Sequence, residues 1–272
     1  MASMNQTELL NQVRSIPGWF SDQDLFIFQI ILRRQKAHKI QGNILEIGAY
    51  LGKSAVVLGA YKSKSEEVFV CDVFQGLTDS ENSQENDYSY SDLTRKSFER
   101  NYSNAHGELP KILECSSIKL WSEIPDEKFR FIHVDGSHLY DLVRNDLDFA
   151  INSLTVLGGV IVIDDFRAQH TLGVSKTLWE SILSGKVFPL IFSAAKVYLV
   201  PAGDITFNIE ALQAELREGG YATESLNLFS STSIRVLGLS DSDLYNRNSR
   251  LTWWVPPILL PWVKKIRSLI SK

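Results

Sequence analysis

The stretch from Phe129 to Phe166, FRFIHVDGSHLYDLVRNDLDFAINSLTVLGGVIVIDDF, limits the fold of this chain more than any other. It reads as strand, loop, amphipathic helix, turn and strand. Phe129 to Val134 and Val160 to Ile163 are short apolar runs of the kind buried on both faces of a parallel sheet. The helix between them, Leu139 to Leu154, carries an apolar stripe (Leu142, Leu147, Phe149, Ile151, Leu154), and its acids Asp141, Asp146 and Asp148 read as a solvated face. Each strand ends in carboxylate: Asp135 after the first, Asp164 and Asp165 after the second, with His138 in the loop that follows Asp135. Ligands of open α/β sheets gather at the carboxyl ends of the strands, so these groups read as a site. The plainer alternative is an Asp pair that caps a turn and a histidine that hydrogen-bonds beside it. His133, inside the strand, reads as a core residue, and His170 in the loop after Asp165 is the rival of His138 as a base.

The rest of the chain repeats the alternation of strand and helix. Ser21 to Ala37 has apolar residues at helical spacing, with Ser21 as N-cap and Asp24 at N3, and is expected to cover one sheet face or the mouth of the site. The first twenty or so residues read as polar, closed by the turn SIPGWF. Asn43 to Ile47 is a buried strand, Gly48 to Gly52 a turn in which backbone can approach a ligand, and Gly52 to Tyr61 a helix. GAYLGKS is one residue short of a phosphate-binding P-loop, and the dinucleotide spacing of glycines is missing. Glu46 points an acid into this turn, which repels a pyrophosphate and suits a cationic ligand such as S-adenosylmethionine. Val68 to Asp72 is a second strand, and an acid ending it suits the ribose hydroxyls of an adenosine cofactor.

Gln75 to Asp92 reads as a loop, either a lid or a solvated insertion. Ser91 to Asn104 is helical with Ser91 as cap, and Lys111 to Cys115 is a third strand. Ser116 and Ser117 meet the adenine or merely cap the next helix. A helix from about Val174 to Leu183 and two strands, Val187 to Ala194 and Lys196 to Val200, close the core as a terminal antiparallel pair. Beyond Pro201 come a helix (Ile209 to Arg217), a Gly219-Gly220 break and a β-like piece (Ser233 to Leu239). The expected fold is therefore α/β: a doubly wound, mostly parallel, Rossmann-like sheet over 41–201, an N-terminal helical cover over 1–40 and a C-terminal extension over 202–272.

Net charge sets limits on partners. A formal charge of −4 over 272 residues argues against a dedicated nucleic-acid binder. Two cysteines, Cys71 and Cys115, make no disulfide framework and fit a reducing compartment. The polar start lacks an apolar leader core and no apolar run is long enough to span a bilayer, so a cytoplasmic location is expected. The last stretch mixes Trp253, Trp254 and Trp262 with Lys264, Lys265 and Arg267; it lies at a membrane surface, docks in a homo-oligomer interface or covers its own domain.

The residues LEIGAYLGKS, VFVCDVFQGL and IHVDGSHLYDLVRNDLDFAINSLTVLGGVIVIDDF resemble the class I S-adenosylmethionine-dependent methyltransferases. More narrowly they resemble the metal-dependent sugar O-methyltransferases of the macrocin and mycinamicin type, over about Asn43 to Val200. The resemblance implies that Glu46 and Gly48 hold the methionine part of the cofactor; Ser54, Ser116, Ser117 and Asp135 are the further candidates for cofactor contact, and Asp135 also for catalysis. It implies Asp72 at the ribose, and Asp135, Asp164 and Asp165 as ligands of Mg2+ or another divalent cation. His138 falls on the general base. The implied activity is methylation of a small-molecule hydroxyl, with a vicinal diol completing the metal's oxygen shell. The same fold also carries cephalosporin-hydroxylase-like proteins, and a cofactor-binding scaffold without turnover is the other alternative.

Overall fold

In the computed structural model, residues 6–74, 94–228 and 231–239 are described. The elements in chain order are α1 (Gln6–Ser15), α2 (Asp22–Ala37), β1 (Asn43–Ile47), α3 (Lys53–Ala60), β2 (Val68–Asp72), α4 (Arg95–His106), β3 (Lys111–Glu114), a 3-10 turn (Ser117–Lys119) running into α5 (Leu120–Glu123), β4 (Phe129–Val134), α6 (Tyr140–Ser153), β5 (Val160–Ile163), α7 (Leu172–Leu183), β6 (Val187–Phe192), β7 (Val197–Pro201), α8 (Ile209–Glu218), β8 (Tyr221–Leu228) and β9 (Ser231–Leu239). They build one sheet of order β3-β2-β1-β4-β5-β7-β6-β9-β8. β1 to β5 are mutually parallel, and β7 enters antiparallel against β5. The expected doubly wound, mostly parallel, Rossmann-like sheet is therefore present.

Period-two alternation sorts the strands between two cores. Phe131, Val160 and Val162 face α1, α2, α3, α4 and α8, whereas Ile132, Val134, Ile161 and Ile163 face α5, α6 and α7. α2 is the central cover of the first face. Ser21 caps it by accepting the Asp24 N–H at 3.0 Å, and Phe28 meets Phe131, His133 and Tyr198 edge to face. The helix α1 was hidden in a stretch that reads as polar, because few of its residues, Leu9 and Val13 with Leu10 packed beside them, reach the core.

Three expectations change. The antiparallel pair is not terminal: β7 sits inside the sheet, and β9 pairs in parallel with β6 and antiparallel with β8. Residues 202–239 thus extend the same sheet, and β8, with its mixed exposed and half-buried pattern, was too polar to read as a strand. The cap of α4 is Thr94, whose extended backbone lets its hydroxyl accept the Ser97 N–H at 3.1 Å. Asp146 is fully buried on α6, so it is no part of a solvated face. Ser91, the 75–92 loop and the aromatic basic tail lie outside the described residues. No described helix is long and apolar enough to cross a membrane, and Cys71 and Cys115 are both free thiols.

Candidate functional site

Register gathers the site. Ile47, Val134 and Ile163 are side-by-side partners on β1, β4 and β5, so the residues after them, Gly48, Asp135 and Asp164, emerge at one edge of the sheet. Asp135 N–H donates to Ile47 O at 2.8 Å and Asp164 N–H to Val134 O at 3.0 Å, which carries the ladder one step past the strands. Gly48 has φ 80°, and a Cβ there would collide with the carbonyl oxygen of Asp135. The close approach that needs this glycine is the protein's own backbone, one strand away.

His133, Asp135 and Asp164 bring one ligand-type atom each to within 4.8 Å of one another. His133 and Asp135 are two apart on one strand and so share a face. A fourth group closes the cluster: the ammonium of Lys196, 1% exposed, is ion-paired with Asp164 Oδ2. The other Asp164 oxygen accepts the Asp165 N–H at 2.7 Å. Burial drives the Asp135 carboxyl well above the usual range, aided by Asp164, Glu46 and Asp165 and opposed by Lys196. Burial also acts to raise Asp164, but Lys196, His133 and the Asp165 N–H outweigh it and hold that carboxyl below its ordinary value. Burial pulls the Lys196 ammonium down, and Asp164, Asp135 and Asp24 overcome that pull and keep it protonated.

Asp165 turns away from the cluster. Its φ is 53°, in the left-handed region that costs a non-glycine residue free energy, of order 1–3 kcal/mol. The Thr171 hydroxyl donates to its carbonyl, and its carboxylate stands 3.4 Å from His138 Nε2. His138 is about a quarter exposed, and with Asp135, Gly136, Ser137 and Asp164 it lines a small pocket. His170, exposed, meets the His138 ring edge to face at 5.9 Å between centroids. Gly173 lets the start of α7 approach the His138 carbonyl and the Tyr140 N–H, where a Cβ would collide.

On the cofactor side, Glu46 is fully buried; Ser54 donates to its Oε1, and His133 Nδ1 lies 2.9 Å from the same oxygen. Its Oε2 has no partner among the described residues. Asp72 accepts the N–H groups of Ala49 at 2.7 Å, Tyr50 at 3.1 Å and Phe74 at 2.6 Å, and so staples the glycine turn to the end of β2. Burial nevertheless raises its carboxyl, against the pull of those three N–H donors. Ser116 precedes the 3-10 turn without a side-chain capping bond, and Ser117 hydrogen-bonds Asp146.

The two implied ligands fare differently. For S-adenosylmethionine the fit is good: a buried unpartnered carboxylate oxygen on Glu46 awaits a donor, and Asp72 Oδ1 accepts only one hydrogen bond of the two or so it can take. For Mg2+ the fit is poor. That hard ion wants near-octahedral oxygen ligands; here one donor is an imidazole, Asp164 Oδ2 is ion-paired with Lys196, and Asp165 lies outside the set. The sequence reading missed His133 and Lys196. The signals were a histidine two residues before Asp135 on the same strand face, and a single lysine at the mouth of the apolar run VYLV.

Residues 45–166 match the family model described as a methyltransferase domain. No curated protein matches the chain in sequence. Among solved structures, the O-methyltransferase NovP superposes with TM-score 0.56 at 16% identity, over 66% of this chain and 80% of that one. CalS11, a calicheamicin methyltransferase, gives 0.52 at 14% identity over 75% and 88% of the two chains. TomG of Streptomyces achromogenes, an O-methyltransferase involved in tomaymycin synthesis, gives 0.50 at 13% identity over 75% and 93%. At such identities the likeness is one of fold.

Proposed function

We propose that this chain is a class I S-adenosylmethionine-dependent O-methyltransferase and that it methylates a hydroxyl of a small-molecule natural product, sugar-like in its polarity, with His138 as the base. The observation that carries the reading is His138 lining the pocket at the ends of β4 and β5, with the Asp165 carboxylate 3.4 Å from its Nε2. A calicheamicin methyltransferase and an O-methyltransferase involved in tomaymycin synthesis, both among the similar folds, support the class of acceptor.

When bound, the cofactor supplies a methyl activated by its sulfonium. The chain's residues do the rest. Glu46 Oε2 and the Gly48 turn receive the methionine end, and Asp72, already holding that turn, offers its remaining lone pair to the ribose. Ser116 and Ser117 border the adenine end. His138 would take the acceptor's hydroxyl proton, and the Asp165 carboxylate would stabilise the imidazolium that results; the methyl leaves its sulfonium as that S–C bond breaks, and the neutral thioether is the leaving group. The proton then passes to solvent, since His138 is partly exposed.

The test is calorimetry with S-adenosylhomocysteine, followed by a screen of glycosylated small molecules with methyl-labelled cofactor. Saturable cofactor binding and label in an ether product are expected. Tight binding with no transfer to any hydroxyl would instead favour a cofactor-binding scaffold.

A further inference from the structure

We propose that Lys196 is the resident cation of the Asp135–Asp164 cluster, that it stands where a divalent ion would otherwise sit, and that this chain transfers methyl groups without a metal. The inference rests on the methyl-transfer reading of the site. Three sets of contacts carry it.

The first is occupancy. The Lys196 ammonium is ion-paired with Asp164 Oδ2, and Oδ1 accepts the Asp165 N–H, so both oxygens already have partners within the protein. A divalent cation among His133, Asp135 and Asp164 would face a buried ammonium at contact range, and like charges there repel strongly because water does not screen them. The second is fixation. Lys196 N–H donates to Ser193 Oγ at 2.9 Å and Ser193 N–H returns to Lys196 O at 2.9 Å, which pins the turn between β6 and β7. The Phe20 ring lies 5.6 Å from Nζ, and Gln23 accepts the Ala194 N–H at 3.0 Å. The stem is enclosed, so the ammonium has no solvated position to swing to. The third is onward connection. Lys196 holds Asp164, Asp164 holds the backbone N–H of Asp165, and the Asp165 carboxylate stands beside His138 Nε2. Lys196 is thus a positioning residue, acting on the base through two aspartates.

The experiment strips the full chain with EDTA and titrates it with Mn2+, by calorimetry and by paramagnetic resonance, with and without S-adenosylhomocysteine. Wild type is expected to show no saturable site tighter than about 1 mM. Lys196→Met, which keeps the stem and removes the charge, is expected to gain a site at least about tenfold tighter, and the double variant Lys196→Met/Asp164→Asn to lose it again. One equivalent of Mn2+ bound tightly by wild type and abolished by Asp164→Asn would overturn the proposal. So would a folded Lys196→Met that gains nothing. If Lys196→Met does not fold, wild type against Asp164→Asn decides alone. Binding of S-adenosylhomocysteine in the same cell reports separately on the cofactor reading, so the two can fail independently.

Discussion

Glu46 and His133 are register partners on adjacent parallel strands, both fully buried, with Nδ1 of the imidazole 2.9 Å from the carboxylate. One oxygen of the carboxylate has His133 Nδ1 and the Ser54 hydroxyl beside it, and the other is without a partner among the described residues. A buried ionised oxygen is costly when unpaired, so a cationic ligand gains by meeting it. Glu46→Gln keeps the shape and removes the charge. Its affinity for S-adenosylhomocysteine should fall roughly ten- to hundredfold, the worth of a hydrogen bond to a charged group. Calorimetry measures this, and unchanged affinity would reduce Glu46 to a structural partner of Ser54 and His133.

The His138 and His170 rings meet beside the pocket, and among the described residues the Asp165 carboxylate stands against His138. His138→Ala should lower kcat by about 10²–10⁴ while leaving cofactor affinity nearly unchanged. His170→Ala should do much less. Single-turnover rates with labelled cofactor separate the two, and the reverse ranking would move the base to His170.

Asp146 gives the clearest pH effect. Burial raises its carboxyl from 3.8 to about 6, although Ser117 and Asn145 hydrogen-bond it, and its Oδ2 has no partner among the described residues. The folded protein therefore holds this proton more tightly than the unfolded chain does. Its contribution is most favourable below the unfolded value and is lost as pH rises from near 4 to near 6. Asp146→Asn abolishes that loss. It should be more stable than wild type at pH 7, by up to roughly 3 kcal/mol at 1.36 kcal/mol per pH unit, with the gain vanishing near pH 4. Urea melts across pH test the slope.

At the other end of β4, Arg130 is buried and saturated. It donates to both Glu66 oxygens at 2.7 and 2.9 Å, to Gln35 Oε1 at 2.7 Å and to Tyr61 O at 3.0 Å. Arg130→Ala leaves the Glu66 charge stranded, so unfolding should become easier by about 3–5 kcal/mol. Affinity for S-adenosylhomocysteine in the surviving folded fraction should not change, because Val134, at the site end of the strand, is roughly 13 Å away at 3.3 Å per residue.

The parallel half of the sheet was legible because each strand is a short apolar run followed by a glycine turn or an acid. Asp135, Asp164 and His138 could be found for the same reason. What stayed hidden depends on contacts far apart in sequence. Lys196 reaches Asp164 across β5 and β7, and nothing within the run AAKVYLVP announces an ion pair. Asp146 looked solvated because helical spacing does not say which acid a neighbouring serine will cover. Asp165 was grouped with Asp164 because they adjoin, yet its left-handed backbone sends the two carboxylates to different partners. β8 escaped notice because an edge strand needs no apolar alternation.

A single strand, β4, carries the Arg130 network at its entry and the acid cluster at its exit. Anchorage and chemistry are therefore kept at opposite ends of one stiff rod. Substitutions that retune the loops above Asp135 toward a different alcohol leave the fastening below untouched, so a lineage can explore new acceptors without first becoming fragile.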